Sequence, residues 1–167
     1  MKYLRAIEPE DLDLMYVIEN DMQLWKYGST TVPFSRYALK CYLEETKNDI
    51  YKDGQVRFAI INEGTTFGFL DLTDFIPQHS RAQIGIVLTQ EAQHKGIAAA
   101  ALREAIDYAR QTGIHQLYAV VNEENLPAIN LFTYSGFVNI ATLPDWLKFD
   151  DTYSNAILYN LKLTYDL

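Results

Sequence analysis

One stretch, residues 81–121, constrains the fold more than the rest of the chain does. It begins with an apolar strand at Arg81–Leu88 and continues through a polar turn into a helix at about Lys95–Thr112, followed by an apolar strand at His115–Val121. One side of the helix carries apolar residues spaced by three or four, which is typical of a helix packed on a sheet. This order predicts a strand–helix–strand crossover between neighbouring strands.

The remaining segments predict a sheet with helices on both faces. Strands are predicted at Lys2–Ile7, Gln55–Asn62, Thr66–Phe75, Phe137–Leu143 and Ala156–Leu163. Helices are predicted from Pro9, from Pro33 to about Tyr51, and at Leu126–Ser135, with an irregular segment at 21–31. The pattern predicts an α/β (α+β) fold with a mixed central sheet, in a single domain spanning residues 1–167.

The turn Gln93–Ala98 between the strand and the crossover helix is the clearest candidate ligand site. A helix N-terminus presents free backbone N–H groups and a partial positive charge, which suit a phosphate. Gly96 lets the backbone approach the ligand, Ala98 is small, and His94 and Lys95 add positive character. The turn lacks the Gly-Lys-Ser/Thr of a Walker loop and the three glycines of a dinucleotide fingerprint. The structural alternative is a loop glycine before an alanine-rich helix.

The segment Gln93-x-x-Gly96-x-Ala98 resembles the Gln/Arg-x-x-Gly-x-Gly/Ala signature of the GNAT acetyltransferase superfamily. Downstream, Asn125 and Ala128 followed by the run at 131–137 are similar to the family's Asn-x-x-Ala and Leu-Tyr-x-x-x-Gly-Phe elements. The resemblance covers essentially the whole chain. It looks closest to spermidine and diamine N-acetyltransferases, with the ribosomal-protein N-terminal acetyltransferases next.

The resemblance implies a sheet splayed between the strand at 81–88 and the strand at 115–121, with acetyl-CoA as cosubstrate in the cleft and no metal. The implied cofactor-binding residues are Ile86, Val87, Leu88, Gln93, His94, Lys95, Gly96, Ile97, Ala98, Asn125 and Phe132. Backbone groups of the first three would meet the pantetheine arm, and the turn would hold the pyrophosphate.

The resemblance also implies the reaction, which is acetyl transfer to a primary amine by direct attack in a ternary complex. The acceptor would be a polyamine or diamine, another small amine, or a peptide N-terminus. The run Gly68–Phe75 looks like the polyamine branch, with Asp71 and Asp74 where that branch has acids. The loop Gly28–Thr31 departs from the branch because it lacks acidic residues.

The chemistry needs a base because an alkyl amine is protonated at neutral pH, with a reference pKa near 10.4. Asp71 and Asp74 are the candidate carboxylates, and they lie on opposite faces of one strand, so at most one points into the cleft without a bulge. We rank Asp71 ahead; the alternative is that both are surface carboxylates. Backbone N–H groups near Val87 and Leu88 are candidate oxyanion donors.

The acid position departs from the family pattern. The tyrosine that often protonates the leaving thiolate is replaced by Phe132, which has no proton to donate. Tyr134 is the nearest phenol, but two residues along a helix turn it ~200° away. The chain is therefore either a catalyst that manages without this acid or a non-catalytic sensor of CoA or acyl-CoA with the same fold.

Composition indicates which kinds of partner, cellular location and metal site to expect. The formal net charge of −8 argues against a nucleic-acid partner and suits a cationic substrate, although acidity also serves solubility. No apolar run reaches the ~20 residues of a membrane span, Met1–Pro9 has no signal core, and Cys41 is the single cysteine, so we expect a cytoplasmic protein. The three histidines are scattered without ligand spacing, which predicts no metal site. Clustered aromatic residues make a homodimer possible.

Overall fold

A mixed sheet with helices on both faces forms the framework of the molecule. The structure is a computed structural model that describes residues 1–28 and 30–164, and within them seven strands form one sheet in the order β1-β2-β3-β4-β5-β7-β6. The strands are β1 Leu4–Ala6, β2 Val56–Asn62, β3 Thr65–Ile76, β4 Arg81–Leu88, β5 Gln116–Asn122, β6 Val138–Phe149 and β7 Thr152–Lys162. The helices are α1 Leu12–Glu19, α2 Met22–Trp25, α3 Arg36–Glu45, α4 Ile50–Asp53, α5 Ile97–Gln111 and α6 Leu126–Tyr134, with a 3-10 turn at Pro9–Asp11 before α1.

The two faces of the sheet bury two separate apolar clusters. Alternate residues of a strand point to opposite faces. Leu70 and Leu72 therefore join the cluster under α5 and α6, whereas Phe69 joins the cluster under α1 and α3. In α5 the buried residues recur at helical spacing, and they are Ile97, Ala101, Leu102, Ala105, Ile106 and Ala109. This amphipathic pattern is the reason that the crossover helix was predictable.

The splay between β4 and β5 confirms the predicted fold. Every other neighbouring pair in the sheet is antiparallel, whereas β4 and β5 are parallel. They pair at Arg81–Gln83 with Gln116–Tyr118, and in the described chain their ladder extends no further. The two strands therefore share a closed end at Arg81 and diverge toward Leu88 and Asn122.

Two predicted elements in the first third of the chain need correction. The single helix predicted from Pro33 to Tyr51 is two helices, because α3 ends at Glu45 and Asn48 takes a left-handed backbone with φ 49° before α4. The segment predicted as irregular contains α2, whose Asp21 side chain accepts the Gln23 N–H at 2.9 Å and caps it.

The last two strands are also longer than predicted. β6 and β7 extend as a hairpin to Phe149 and Thr152, with register shifts along the way. β6 lies at the sheet edge, where a proline such as Pro144 is tolerated because no ladder hydrogen bond is required of its nitrogen. The proline made this strand hard to extend from the sequence alone. No helix in the described part of the chain combines the length and apolar content needed to cross a bilayer.

A buried aspartate near the N-terminus, Asp11, is expected to make the free energy of unfolding depend on pH. Asp11 is 2% exposed, and its carboxylate accepts bonds from Arg5 at 2.7 and 2.9 Å, from the Glu8 N–H at 2.8 Å and from the Thr66 hydroxyl at 3.0 Å. Burial raises the pKa of Asp11, but the bonds from Arg5, Glu8 and Thr66 outweigh burial and hold that pKa below its ordinary value.

We expect Asp11→Asn to lower the free energy of unfolding by about 1.5–3 kcal/mol at pH 7, as for hydrogen bonds to a charged group. The folded-state pKa lies below the unfolded value of about 3.9, so the contribution is present above that value and is lost as pH falls through the folded pKa. Urea unfolding between pH 3 and pH 7 measures this. The difference between the two proteins should shrink with acid, and parallel pH curves would contradict the assignment.

Candidate functional site

The gap between β4 and β5 is lined by strand backbone. Alternate residues of an antiparallel strand bond to the same neighbour. The Thr89 N–H donates to the Phe67 carbonyl at 2.8 Å, which shows that the odd-numbered residues at this end of β4 bond to β3. Val87 therefore bonds to β3. The backbone groups of Ile86 and Leu88 point the other way, into the gap. Of the three predicted pantetheine contacts, two therefore have their peptide groups on the cleft side.

The turn Gln93–Ala98 lies beyond the open end of β4 and leads into α5. His94 and Gly96 both have left-handed backbones, with φ of 61° and 75°, and α5 begins at Ile97. No side chain of the described residues caps this helix, whose first bond is from the Ala100 N–H to the Gly96 carbonyl at 3.1 Å. The N–H groups of the first turn are therefore free for an anion.

The surface above this turn is open. Gln93, His94, Lys95 and Gly96 are all exposed, and Ala98 is half-buried. A Cβ placed on Gly96 would meet no atom within 4 Å, so a ligand has space to approach the backbone there. The glycine is required by its positive φ rather than by crowding.

Asn125 immediately precedes α6, the helix after β5, and Phe132 lies within that helix. The Asn125 side chain accepts the Ala128 N–H at 3.2 Å and so caps α6. Phe132 is 3% exposed; its ring meets the Phe137 ring edge-on at 5.1 Å and stacks with the Tyr159 ring at 6.3 Å. Phe132 is therefore part of the aromatic core under α6. Tyr134 is 85% exposed and points away from this core.

Asp71 lies in a cluster of charges on the α1 and α3 face. Its two oxygens accept from Arg57 Nε at 2.6 Å and Nη2 at 2.9 Å, and Arg57 Nη1 donates to Glu19 at 2.7 Å. Burial alone would lower the pKa of Arg57, but the Asp71 and Glu19 carboxylates raise it above its ordinary value. Both oxygens of the Asp71 carboxylate are therefore already occupied as hydrogen-bond acceptors of the guanidinium.

Arg57 and Glu19 were not identified from the sequence. The available signal was an arginine within the mostly apolar strand β2, since a charge that is partly removed from water needs a partner.

Asp74 lies at the closed end of the gap. It is exposed, has φ 50°, and occupies the register shift between Thr73 and Ile76. Burial raises the pKa of Tyr118 on β5, and Asp74 raises it further, which places the carboxylate near the paired part of the two strands. From Gln83, opposite Thr73, to Leu88 is about 17 Å of extended strand. The structure thus separates Asp74 from the turn Gln93–Ala98.

One buried hydroxyl marks the junction between the gap and the turn. Thr89 follows β4, and its Oγ1 is the single buried side-chain polar atom in the described residues that has no hydrogen-bond partner. Such an atom costs about 1–3 kcal/mol of desolvation if nothing satisfies it.

Thr89→Val, which keeps the shape and removes the hydroxyl, is expected to raise the free energy of unfolding by about 1 kcal/mol in the free protein. Thermal unfolding with and without CoA measures the change. A loss of stability in the free protein would mean that the hydroxyl is satisfied. A gain that disappears with CoA present would mean that the hydroxyl serves the ligand-bound state.

The backbone gap and the uncapped helix N-terminus together fit a ligand with an extended polar arm and a phosphate group. The turn supplies N–H donors and positive charge, and Gly96 leaves space above them. These are the features that a coenzyme A thioester requires of a protein. This geometry fits the class of proteins that bind such a ligand between two diverging strands.

Comparison with known proteins agrees with this geometry. Residues 3–138 match the family model described as the Acetyltransferase (GNAT) domain, and the chain therefore belongs to the GNAT acetyltransferase family. The spermidine N(1)-acetyltransferase of Escherichia coli is 28% identical over 155 residues, which cover 92% of this chain and 82% of that protein. The spermidine N(1)-acetyltransferase of Vibrio cholerae is 28% identical over 156 residues, which cover 92% of this chain and 88% of that protein.

Solved structures show the same fold. The spermidine N-acetyltransferase of Vibrio cholerae, in complex with CoA and spermine, superimposes with a TM-score of 0.84 at 24% identity, covering 95% of this chain and 94% of that chain. The ribosomal-protein-alanine N-acetyltransferase of Brucella melitensis gives a TM-score of 0.82 at 21% identity, covering 96% and 99%. These two structures represent the two branches that the sequence resembles, the spermidine N-acetyltransferases and the ribosomal-protein N-terminal acetyltransferases.

Proposed function

We propose that this chain transfers an acetyl group from acetyl-CoA to a primary amine by direct attack in a ternary complex. The observation that carries the proposal is the gap between β4 and β5, which opens toward the uncapped N-terminus of α5 at Gly96. In the GNAT family this combination accompanies acetyl transfer, and the family membership supports the same reaction here.

The cosubstrate would lie along the backbone of β4 and end on the turn. Ile86 and Leu88 would bond the pantetheine arm through the peptide groups that face the gap, and the N–H groups after Gly96 would hold the pyrophosphate. Asn125, which caps α6, would line the cofactor side of the gap. The bound thioester supplies an acyl carbon that an amine can attack once the amine has lost its proton.

We propose a polyamine as the acceptor class. The chain carries a net charge of −8, which attracts a polycation, and two relatives are named for spermidine. Water is the proposed carrier of the amine proton, because Arg57 occupies both oxygens of Asp71 and because Asp74 is at the closed end of the gap.

A second function, a sensor that binds CoA without turnover, is favoured by one observation. Phe132 places a buried ring without a hydroxyl where the family often has its acid, and the exposed Tyr134 does not replace it. Release of the thiolate without a positioned acid is slower by about 10²–10⁴-fold.

The test is release of free thiol from acetyl-CoA across a panel of spermidine, spermine, putrescine, small aromatic amines and short peptides. Release that depends on a polyamine supports the proposal. Release with peptides alone would move the acceptor to a protein N-terminus. CoA binding by calorimetry without release for any amine would favour the sensor.

Two glycines provide a matched pair for the cofactor site. Gly96 and Gly64 both have positive φ, and a Cβ on either meets nothing within 4 Å, so the same substitution strains both similarly. Gly96→Glu, which brings a carboxylate to the proposed pyrophosphate position, is expected to weaken CoA binding about tenfold or more, or ~1.4 kcal/mol. Gly64→Glu, in the β2–β3 hairpin, should leave CoA binding unchanged. Equal losses in both variants would contradict the assignment of the turn.

A further inference from the structure

Asn122, the last residue of β5, connects the open end of the gap to a distant segment of the chain. The residue is 3% exposed, and both ends of its side-chain amide are bonded. Its Nδ2 donates to the Lys26 carbonyl at 3.1 Å, and its Oδ1 accepts the Glu124 N–H at 2.9 Å. The two partners fix the orientation of the amide, because a carbonyl requires a donor and an N–H requires an acceptor.

Lys26 follows α2, in the segment that connects α1 to α3. The base of this segment is held by Asn20, whose side chain accepts the Phe34 N–H at 2.9 Å and donates to the Phe34 carbonyl at 3.1 Å. Trp25 Nε1 donates to the Glu19 carbonyl at 2.9 Å. Asn122 adds a bond from this segment to the central strand that borders the gap.

The segment lies on the face of the sheet opposite the phosphate turn. Leu24 packs against the cluster of α1 and α3, whereas α5 packs on the other face. A cosubstrate held by the N-terminus of α5 enters the gap from the α5 side, so an amine that attacks it has to approach from the other side. The segment with Trp25 and Lys26 therefore borders the approach of the amine.

We propose that Asn122 is a positioning residue that holds the Lys26 segment against the open end of the gap and thereby sets the geometry of the amine acceptor. The inference rests on the proposed function, because it assigns a role in the same reaction. The two functions of the site are thereby assigned to different residues. The turn at Gly96 would bind the cosubstrate, and the bond from Asn122 to Lys26 would position the segment that contacts the acceptor.

The two halves of the amide permit a selective test. Asn122→Asp keeps an oxygen for the Glu124 N–H and removes the donor to the Lys26 carbonyl, so two oxygens then face each other. Loss of one such bond changes the corresponding equilibrium constant roughly tenfold. We expect KM for spermidine to rise about tenfold in Asn122→Asp while KM for acetyl-CoA stays within about twofold.

Asn160→Asp is the matched control. Asn160 on β7 donates to Gln116 at 3.0 Å beside the closed end of the gap, so the same chemical change occurs away from the acceptor approach. Amide hydrogen exchange adds a structural readout, since the Tyr27 and Gly28 N–H groups bond back to Leu24 and Trp25. Their exchange should accelerate in Asn122→Asp and remain unchanged in Asn160→Asp.

If Asn122→Asp fails to fold, Asn122→Ser replaces it, because a serine hydroxyl still supports the turn at Glu124 but is too short to reach Lys26. The same separation of the two KM values is then expected. Equal changes in both KM values, or unchanged kinetics with faster exchange, overturns the positioning role while leaving the proposed function intact. A wild-type protein that releases no thiol with any amine overturns the proposed function and this inference with it.

Discussion

Replacing Arg57 with methionine is expected to lower the free energy of unfolding by about 3 kcal/mol, the lower end of the range for breaking a buried ion pair. Arg57 bonds Asp71 and Glu19 at 2.6–2.9 Å, and all three side chains are shielded by α1 and α3. The rings of Phe69 and Tyr42 lie 5.5 and 5.9 Å from the guanidinium carbon, and the three charged side chains are half-buried. Removing the cation leaves two neighbouring carboxylates without their shared partner.

This loss should depend on pH. In Arg57→Met, two neighbouring carboxylates are left without a cation between them, and their mutual repulsion costs most when both are charged. The destabilisation is therefore expected to be largest at neutral pH and to shrink in acid, where the repulsion is neutralised. Urea unfolding at pH 7 and pH 5 measures the difference.

Arg110→Met provides the control, because Arg110 makes an exposed pair with Asp107 at 2.8 Å and should cost at most about 1 kcal/mol. A second variant, Arg57→Met with Asp71→Leu and Glu19→Met, should recover much of the stability, since apolar residues can replace a whole buried charge cluster. A loss below 1 kcal/mol in Arg57→Met, independent of pH, would show that the three charges are solvated individually. A loss of several kcal/mol would establish a structural role for Asp71.

The Arg57–Asp71 pair also shows why the sequence predicted the strands but not the site. The hairpin turn at Glu63-Gly64 was readable, and an uninterrupted ladder from it would place Arg57 opposite Leu70. The register shifts between Ile60 and Ile61, where Ile60 pairs with Gly68 and Ile61 with Thr66. This bulge moves Arg57 opposite Asp71, and no local sequence rule predicts one extra residue in a strand.

Other parts of the site differ in whether they are determined by neighbouring residues or by residues far apart in the sequence. The start of α5 after Gly96 follows from a glycine before an amphipathic helix, so both the helix and the turn that precedes it could be predicted from neighbouring residues. The bond from Asn122 to Lys26 joins residues 96 positions apart, and it exists only because the fold brings the α2 segment to the end of β5. Periodicity carries no information about such a pairing.

Phe132→Tyr is expected to increase kcat for amine acetylation by about 10²-fold, at the lower end of the effect of a positioned general acid. The substitution adds a hydroxyl at the place where the family often has its acid, and the ring keeps its packing against Phe137 and Tyr159. The leaving thiolate has a conjugate pKa near 8.5, so a phenol with a reference pKa near 10 can assist its departure. The gain in kcat should decline above about pH 10, where the phenol ionises.

Phe137→Tyr is the matched control, because Phe137 is the neighbouring buried ring in the same cluster but lies outside α6. Like Phe132→Tyr, it should lower stability by about 1–3 kcal/mol through an added buried hydroxyl, but it should not raise kcat. Steady-state thiol release and thermal unfolding of both variants separate the two effects. A rise in kcat confined to Phe132→Tyr would mean that the proton for the thiolate limits the natural protein. An unchanged kcat in an active wild type would mean that the thiolate leaves without a side-chain acid, and that Phe132 serves the core under α6 alone.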